Sequence, residues 1–248
     1  MKKEIPSGIY LLPNLFTTAS LFAAFYSLVA SMKGQYEAAV IAILIGLIAD
    51  GLDGRIARLT NTQTHFGAEY DSLSDMVTFG VAPALLLYQL SLSQLGKWGW
   101  LVAFVYTACV ALRLARFNTQ VETADKRFFQ GLPCPPAAAA LASFAWLCNQ
   151  YDLQTYRIIT YVTAFFTLSL AVLMVSNLRY SSFKELDFKG KVPFLYVFIM
   201  IILFVAIAAT PTILLFLIFG MYSLSGPVLT LVSLHKMRKK RALPTKNK

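Results

Sequence analysis

Long apolar runs broken by short polar stretches make up nearly all of this chain. Runs long enough to cross a bilayer fall at 10–31, 37–57, 75–95, 98–116, 133–149, 157–176, 192–209 and 211–233, each near the ~20 residues that a helix needs to cross a hydrocarbon core. None shows the strict alternation of a half-buried strand, and a helix satisfies its own backbone in lipid. The breaks carry charge or turn residues: Lys33 and Gly34, the polar stretch after Asp53, Gly96 and Lys97, 118–130, 149–152, 177–191, and Thr210 with Pro211. The last break is the weakest, but about forty residues are too many for one crossing. The pattern predicts an all-α polytopic membrane bundle of about eight transmembrane helices.

Composition agrees. The chain has 248 residues, 57% hydrophobic and 14% charged, with mean hydropathy +0.61, which excludes an ordinary soluble domain. The apolar run behind Lys2 and Lys3 extends well past a signal core, so it reads as a first span rather than a removable leader. With the N-terminus inside, all of the 22 Lys and Arg except Lys33, Lys97 and Arg157 fall on the inner side. That bias places both termini and the polar stretch after Asp53 in the cytoplasm. The net charge of +10 then needs no nucleic acid. It follows from topology plus the basic run KMRKKR at 236–241, a cluster suited to anionic membrane lipids. The chain divides into a membrane-embedded domain, 1–234, and a basic cytoplasmic tail, 235–248. Cys109, Cys134 and Cys148 lack ligand spacing and read as small apolar residues, and two histidines, His65 and His235, are too few for a zinc site.

Against this background, four aspartates between 50 and 75 stand out. Asp50 and Asp53 are three apart, and Asp71 and Asp75 four apart, so on helices each pair shares a face. A carboxylate at the centre of a membrane helix costs ~2.5–3.5 kcal/mol on insertion scales, so four together call for compensating charge. Divalent metal, bound by hard oxygen ligands, supplies it. Small residues and the Arg58 guanidinium accompany the acids: Gly54, Ala57, Arg58 and Gly67. Small side chains permit close approach, and Arg58 offers a fork for phosphate oxygens. The stretch reads as a site for a metal-bound phosphate compound at a membrane surface. Chance would produce the eight fixed positions of D-x2-D-G-x2-A-R-x8-G-x3-D-x3-D in about one chain of this length in a hundred million.

That pattern resembles the signature of the CDP-alcohol phosphotransferase family, with every signature position filled. The resemblance implies a six-helix membrane core that binds a CDP-linked lipid or alcohol with two divalent cations, Mg²⁺ or Mn²⁺. It also implies transfer of the phosphoryl-containing moiety to a hydroxyl, release of CMP, and a homodimer. By the same resemblance Asp50, Asp53 and Asp71 are chiefly metal ligands, and Asp75 is a ligand and the general base. Gly54, Ala57 and Gly67 match positions where the nucleotide packs, and Asn14, with Thr17 a turn later, matches a contact to the diphosphate. Arg58 completes that CDP-diacylglycerol-binding set.

The acceptor is written less sharply. LRLARFN at 112–118, FFQGLPCPPAAA at 128–139 and SNLRYSSFKEL at 176–186 resemble the phosphatidylserine synthase branch of the family. This implies CDP-diacylglycerol and L-serine as substrates and a bacterial cytoplasmic membrane as the setting. Arg113 and Arg116, three apart near a span end, suit a substrate carboxylate or phosphate, and Asn118 can add a hydrogen bond. A phosphorylated acceptor, glycerol 3-phosphate or inositol phosphate, is the alternative, using Arg113, Arg116, Lys126 and Arg127. A metal-dependent carrier is the other; the single occurrence of the acidic motif weighs against an inverted-repeat carrier.

Overall fold

The computed structural model describes residues 11–60, 62, 64–120, 128–181 and 194–242. Lys126, Arg127 and residues 182–186 lie outside them, as do the side chains of the basic run at 236–241. Helices dominate: α1 Leu11–Met32, α2 Tyr36–Thr60, α3 His65–Asp75, α4 Ala82–Leu90, α5 Lys97–Gln120, α6 Cys134–Gln150, α7 Arg157–Val175, α8 Phe194–Ala209 and α9 Pro211–Ala242. A wide π-helical turn, Met76–Val81, joins α3 to α4. Two three-residue strands, β1 Phe128–Gln130 and β2 Arg179–Ser181, pair antiparallel with Phe129 opposite Tyr180.

The protein is an all-α polytopic membrane protein. Among the described residues five helical segments are long and apolar enough to span: Leu12–Met32, His65–Leu90, Lys97–Thr119, Arg157–Val175 and Pro211–Thr230. The remaining expected spans are shorter or charged. α6 has 17 residues, the apolar described part of α8 is Phe198–Ala209, and α2 carries Asp50, Asp53, Arg55 and Arg58 in its last turns. The run at 192–233 does break at Thr210 into two helices. The third span differs from its expected start at 75. Thr64 caps α3, its Oγ1 accepting from the Gly67 N–H at 3.0 Å, so the helix begins ten residues earlier. The polar composition after Arg58 hides a helix start of the usual N-cap kind.

α6 occupies the centre. Residues Ala137–Ala142 are all fully buried, and the helix packs on α2, α4, α7 and α9. Alanine permits that crowding, since a short side chain lets four helix backbones close in at once. The large side chains of α8 from Phe198 to Val205 are exposed instead, as befits a helix facing lipid tails.

The loop entering α6 is pinned to the end of α7. Gly131 donates its N–H to Leu178 at 2.8 Å, and Leu132 to Leu173 at 3.0 Å. Gly131 has φ +74°, and a Cβ there would sit 2.2 Å from the Met174 carbonyl oxygen; only glycine fits.

Candidate active site

α1, α2 and α3 converge where the aspartates lie. Asp50 and Asp53 come from α2, one turn apart, and Asp71 from α3. Each offers an oxygen within 4.8 Å of the others. Asp75 follows a turn beyond Asp71 on α3 and interacts electrostatically with Asp50. Carboxylates gathered this way repel one another unless a proton or a cation offsets their charge. Two further observations fit divalent metal. Asp71 Oδ1 and Asp75 Oδ1 are buried without a hydrogen-bond partner, and the donors are all hard carboxylate oxygens. Among the described residues no ion pair joins Arg58 to the four acids: its Nε–H donates to the Gly54 carbonyl at 2.8 Å.

The neighbouring helices hold the acids in place. Thr17 of α1 donates its hydroxyl to Asp53 Oδ2 at 2.7 Å, and Ser74 of α3 donates to the Thr17 carbonyl at 3.2 Å. The turn after Asp75 is braced by Tyr106, whose buried hydroxyl donates to the Phe79 carbonyl at 3.0 Å. Wide π-turns leave such carbonyls needing partners and recur beside functional residues. Neither Ser74 nor Tyr106 carried a signal in the sequence; both are ordinary residues on apolar helices.

A cavity of about 290 Å³ opens beside Asp53 and Asp71, and Asn14, Thr17, Gly54, Ala57, Arg58 and Gly67 all line it. So the whole expected nucleotide set is brought together at one opening. At Gly67 a Cβ would meet Thr64 Oγ1 at 3.1 Å and Asn14 Oδ1 at 3.4 Å. At Gly54 it would meet nothing within 4 Å, so a side chain there would occupy ligand space rather than clash. Thr17 borders the cavity, yet its hydroxyl is engaged by Asp53. Replacing Thr17 with valine keeps the shape and removes that donor. Because a hydrogen bond to a charged group contributes ~1.5–3 kcal/mol, the Mn²⁺ concentration for half-maximal activity is expected to rise at least ~10-fold. A Mn²⁺ titration of the variant checks this, and an unshifted curve would make the bond irrelevant to the acids.

The three expected acceptor residues on α5 separate. Arg116 Nη1 donates to the Val175 carbonyl at 3.0 Å and to Asn177 Oδ1 at 3.5 Å. Asn118 Nδ2 donates to Ser72 Oγ at 3.0 Å. Arg113 donates Nη1–H to Cys134 Sγ at 3.3 Å, while its Nε is buried and unpartnered. Cys134, which reads as a small apolar residue in the sequence, thus meets a guanidinium and lies within electrostatic reach of Asp50 and Asp75. His65 is exposed at the start of α3.

Comparison with known proteins finds relatives across the segment that builds this site. The family model described as CDP-alcohol phosphatidyltransferase covers residues 10–175, the segment carrying all four acids and the cavity. A Helicobacter pylori protein named CDP-diacylglycerol–serine O-phosphatidyltransferase is 38% identical over 219 residues, 88% of this chain and 90% of that one. A Mycobacterium bovis protein of the same name is 35% identical over 178 residues, covering 69% and 61% of the two chains. An archaetidylserine synthase from Methanothermobacter thermautotrophicus is 37% identical over 180 residues, 72% of each. With Asp50, Asp53 and Asp71 of the signature clustered beside one cavity and the match spanning most of its helices, this chain belongs to the CDP-alcohol phosphatidyltransferase family.

Proposed function

We propose that this protein transfers the phosphatidyl group of CDP-diacylglycerol to the hydroxyl of L-serine, forming phosphatidylserine and CMP. The observation that carries the reading is the pairing of two half-sites: the carboxylate cluster beside a cavity rimmed by small residues, and Arg113, whose buried Nε–H is unpartnered where its guanidinium meets Cys134. The relatives' names point to the same acceptor.

Asn14 and Arg58 bind the diphosphate, and Gly54, Ala57 and Gly67 leave room for the nucleotide. Asp50, Asp53, Asp71 and Asp75 would hold two divalent cations, Mg²⁺ or Mn²⁺. Such ions, when bound, offset the acids' charge and stabilise negative charge on the departing CMP oxygen. Asp75 accepts the proton of the serine hydroxyl. The serine oxygen forms a bond to the lipid-side phosphorus as the bond from that phosphorus to the CMP oxygen breaks. Arg113 holds the serine carboxylate; Arg116 and Asn118, engaged by Asn177 and Ser72, shape the pocket around it. The charge bias puts this site and both termini on the cytoplasmic side of a bacterial inner membrane. The basic tail rests on anionic lipid, and the working unit is a homodimer.

The test is CMP release by purified protein with CDP-diacylglycerol and Mn²⁺, offering serine, glycerol 3-phosphate and inositol phosphate separately. Serine alone is expected to support release. Arg113→Gln is expected to raise the KM for serine ~10-fold or more, as loss of a charged hydrogen bond does, and Arg116→Gln by less. Release only with a phosphorylated acceptor would overturn the serine assignment, and an unchanged KM in Arg113→Gln would remove the carboxylate from that residue.

A further inference from the structure

We propose that the segment beyond the family-matched region, β2 together with α9, forms one wall of the acceptor side of the site, with Tyr180 as the positioning residue that fixes it. The proposal rests on the acceptor reading above.

The family match ends at residue 175, yet the next elements are built into the site's surroundings. Tyr180 of β2 is fully buried. Its ring lies on α9 where Gly226 leaves the helix backbone bare; a Cβ there would come within 2.3 Å of the ring. Its hydroxyl donates to the Ser223 carbonyl at 2.9 Å. That carbonyl's regular helical partner would be the N–H of residue 227, which is proline and has none. One tyrosine therefore satisfies the acceptor that the proline orphans and covers the gap that the glycine leaves. Gly226 and Pro227 look like faults in a helix until Tyr180 is placed against them.

This latch reaches Arg113 by two routes. Tyr180 packs against Tyr222 of α9 with ring centroids 5.8 Å apart, and α9 packs along α6, whose first residue is Cys134. On the other side, the β1–β2 pairing and the Gly131–Leu178 bond locate the loop that ends at Cys134, whose sulfur accepts from Arg113. The residue that meets the guanidinium is thus tied to β2 through the entering loop and through α9. A displaced α9 changes the acceptor pocket while leaving the nucleotide cavity, built from α1, α2 and α3, as it was.

Tyr180→Phe removes only the hydroxyl. In full-length protein in detergent it is expected to raise the KM for serine about fivefold, the size of one lost hydrogen bond, with kcat and the KM for CDP-diacylglycerol within about twofold. A role confined to stability would lower Tm and leave the KM for serine unchanged, which overturns the proposal. Tyr180→Phe combined with Pro227→Ala separates the two further, because alanine returns an N–H to the Ser223 carbonyl without restoring the tether. Recovery of Tm with the KM still raised supports the latch; recovery of both means that only the orphaned carbonyl mattered. Wild-type acceptor choice is read independently. If CMP is released only with another acceptor, the serine reading fails and the KM for that acceptor takes serine's place in the comparison. If no acceptor supports release, both fall.

Discussion

Asp75→Asn is expected to lower CMP release from CDP-diacylglycerol and serine by about 10³-fold, within the range that a positioned general base contributes. Asparagine keeps the volume and still offers a hydrogen bond towards Asp50, so α3 and its following turn retain their packing. What it loses is the ability to take up the serine proton, together with one anionic ligand for the cations. The position supports this role over the other three acids. Asp50, Asp53 and Asp71 converge within 4.8 Å of one another, while Asp75 stands a turn further along α3, on the side where Cys134 and Arg113 lie. The decisive comparison is single-turnover CMP release alongside CDP-diacylglycerol binding. Binding retained with release lost even at saturating Mn²⁺ assigns the base. Release within tenfold of wild type would move that role to another group.

Stripping divalent cations with a chelator is expected to abolish turnover, with Mn²⁺ or Mg²⁺ restoring it. The same treatment is expected to lower thermal stability, which gives a readout separate from activity. Two facing pairs of carboxylates, two of them with buried oxygens lacking any partner, repel one another across a few ångströms unless cations lie between them. A ligand that binds only the folded state stabilises it by ~2.7 kcal/mol at a hundred times its Kd, so Tm should rise with metal concentration. Asp53→Asn combined with Asp71→Asn should flatten that rise while leaving the metal-free Tm equal to or above that of wild type, because repulsion is relieved. A Tm indifferent to metal in the wild-type protein would rule out a cation site at these acids.

These expectations draw unequally on sequence and structure. The membrane bundle was legible from the apolar runs, because backbone in lipid has almost no alternative to helix. The acidic site was legible too. Four acids with interleaved small residues are costly in such a chain, and their spacing alone places each pair on one helix face. The residues expected to face the nucleotide followed the same local logic: Asn14, Gly54, Ala57, Arg58 and Gly67 do meet at one cavity. The early start of α3 was masked by polar residues that serve as a cap. Thr17 had its place at the cavity in the sequence, while its bond to Asp53 came from the structure.

The acceptor side behaves differently, because its parts are far apart in the chain. Arg113 and Arg116 look alike in sequence, three residues apart on one helix. What separates them is contact with residues some 20 to 60 positions away: Cys134 for one, Val175 and Asn177 for the other. Tyr180, Gly226 and Pro227 carry no joint signal until β2 is laid against α9. Local spacing therefore determined the helices, the carboxylate pairs and the cavity rim, whose parts are neighbours along α1, α2 and α3. Only the tertiary structure decided which arginine has a buried, unpartnered N–H and what holds α9, because those properties belong to pairs of groups that the chain brings together only on folding.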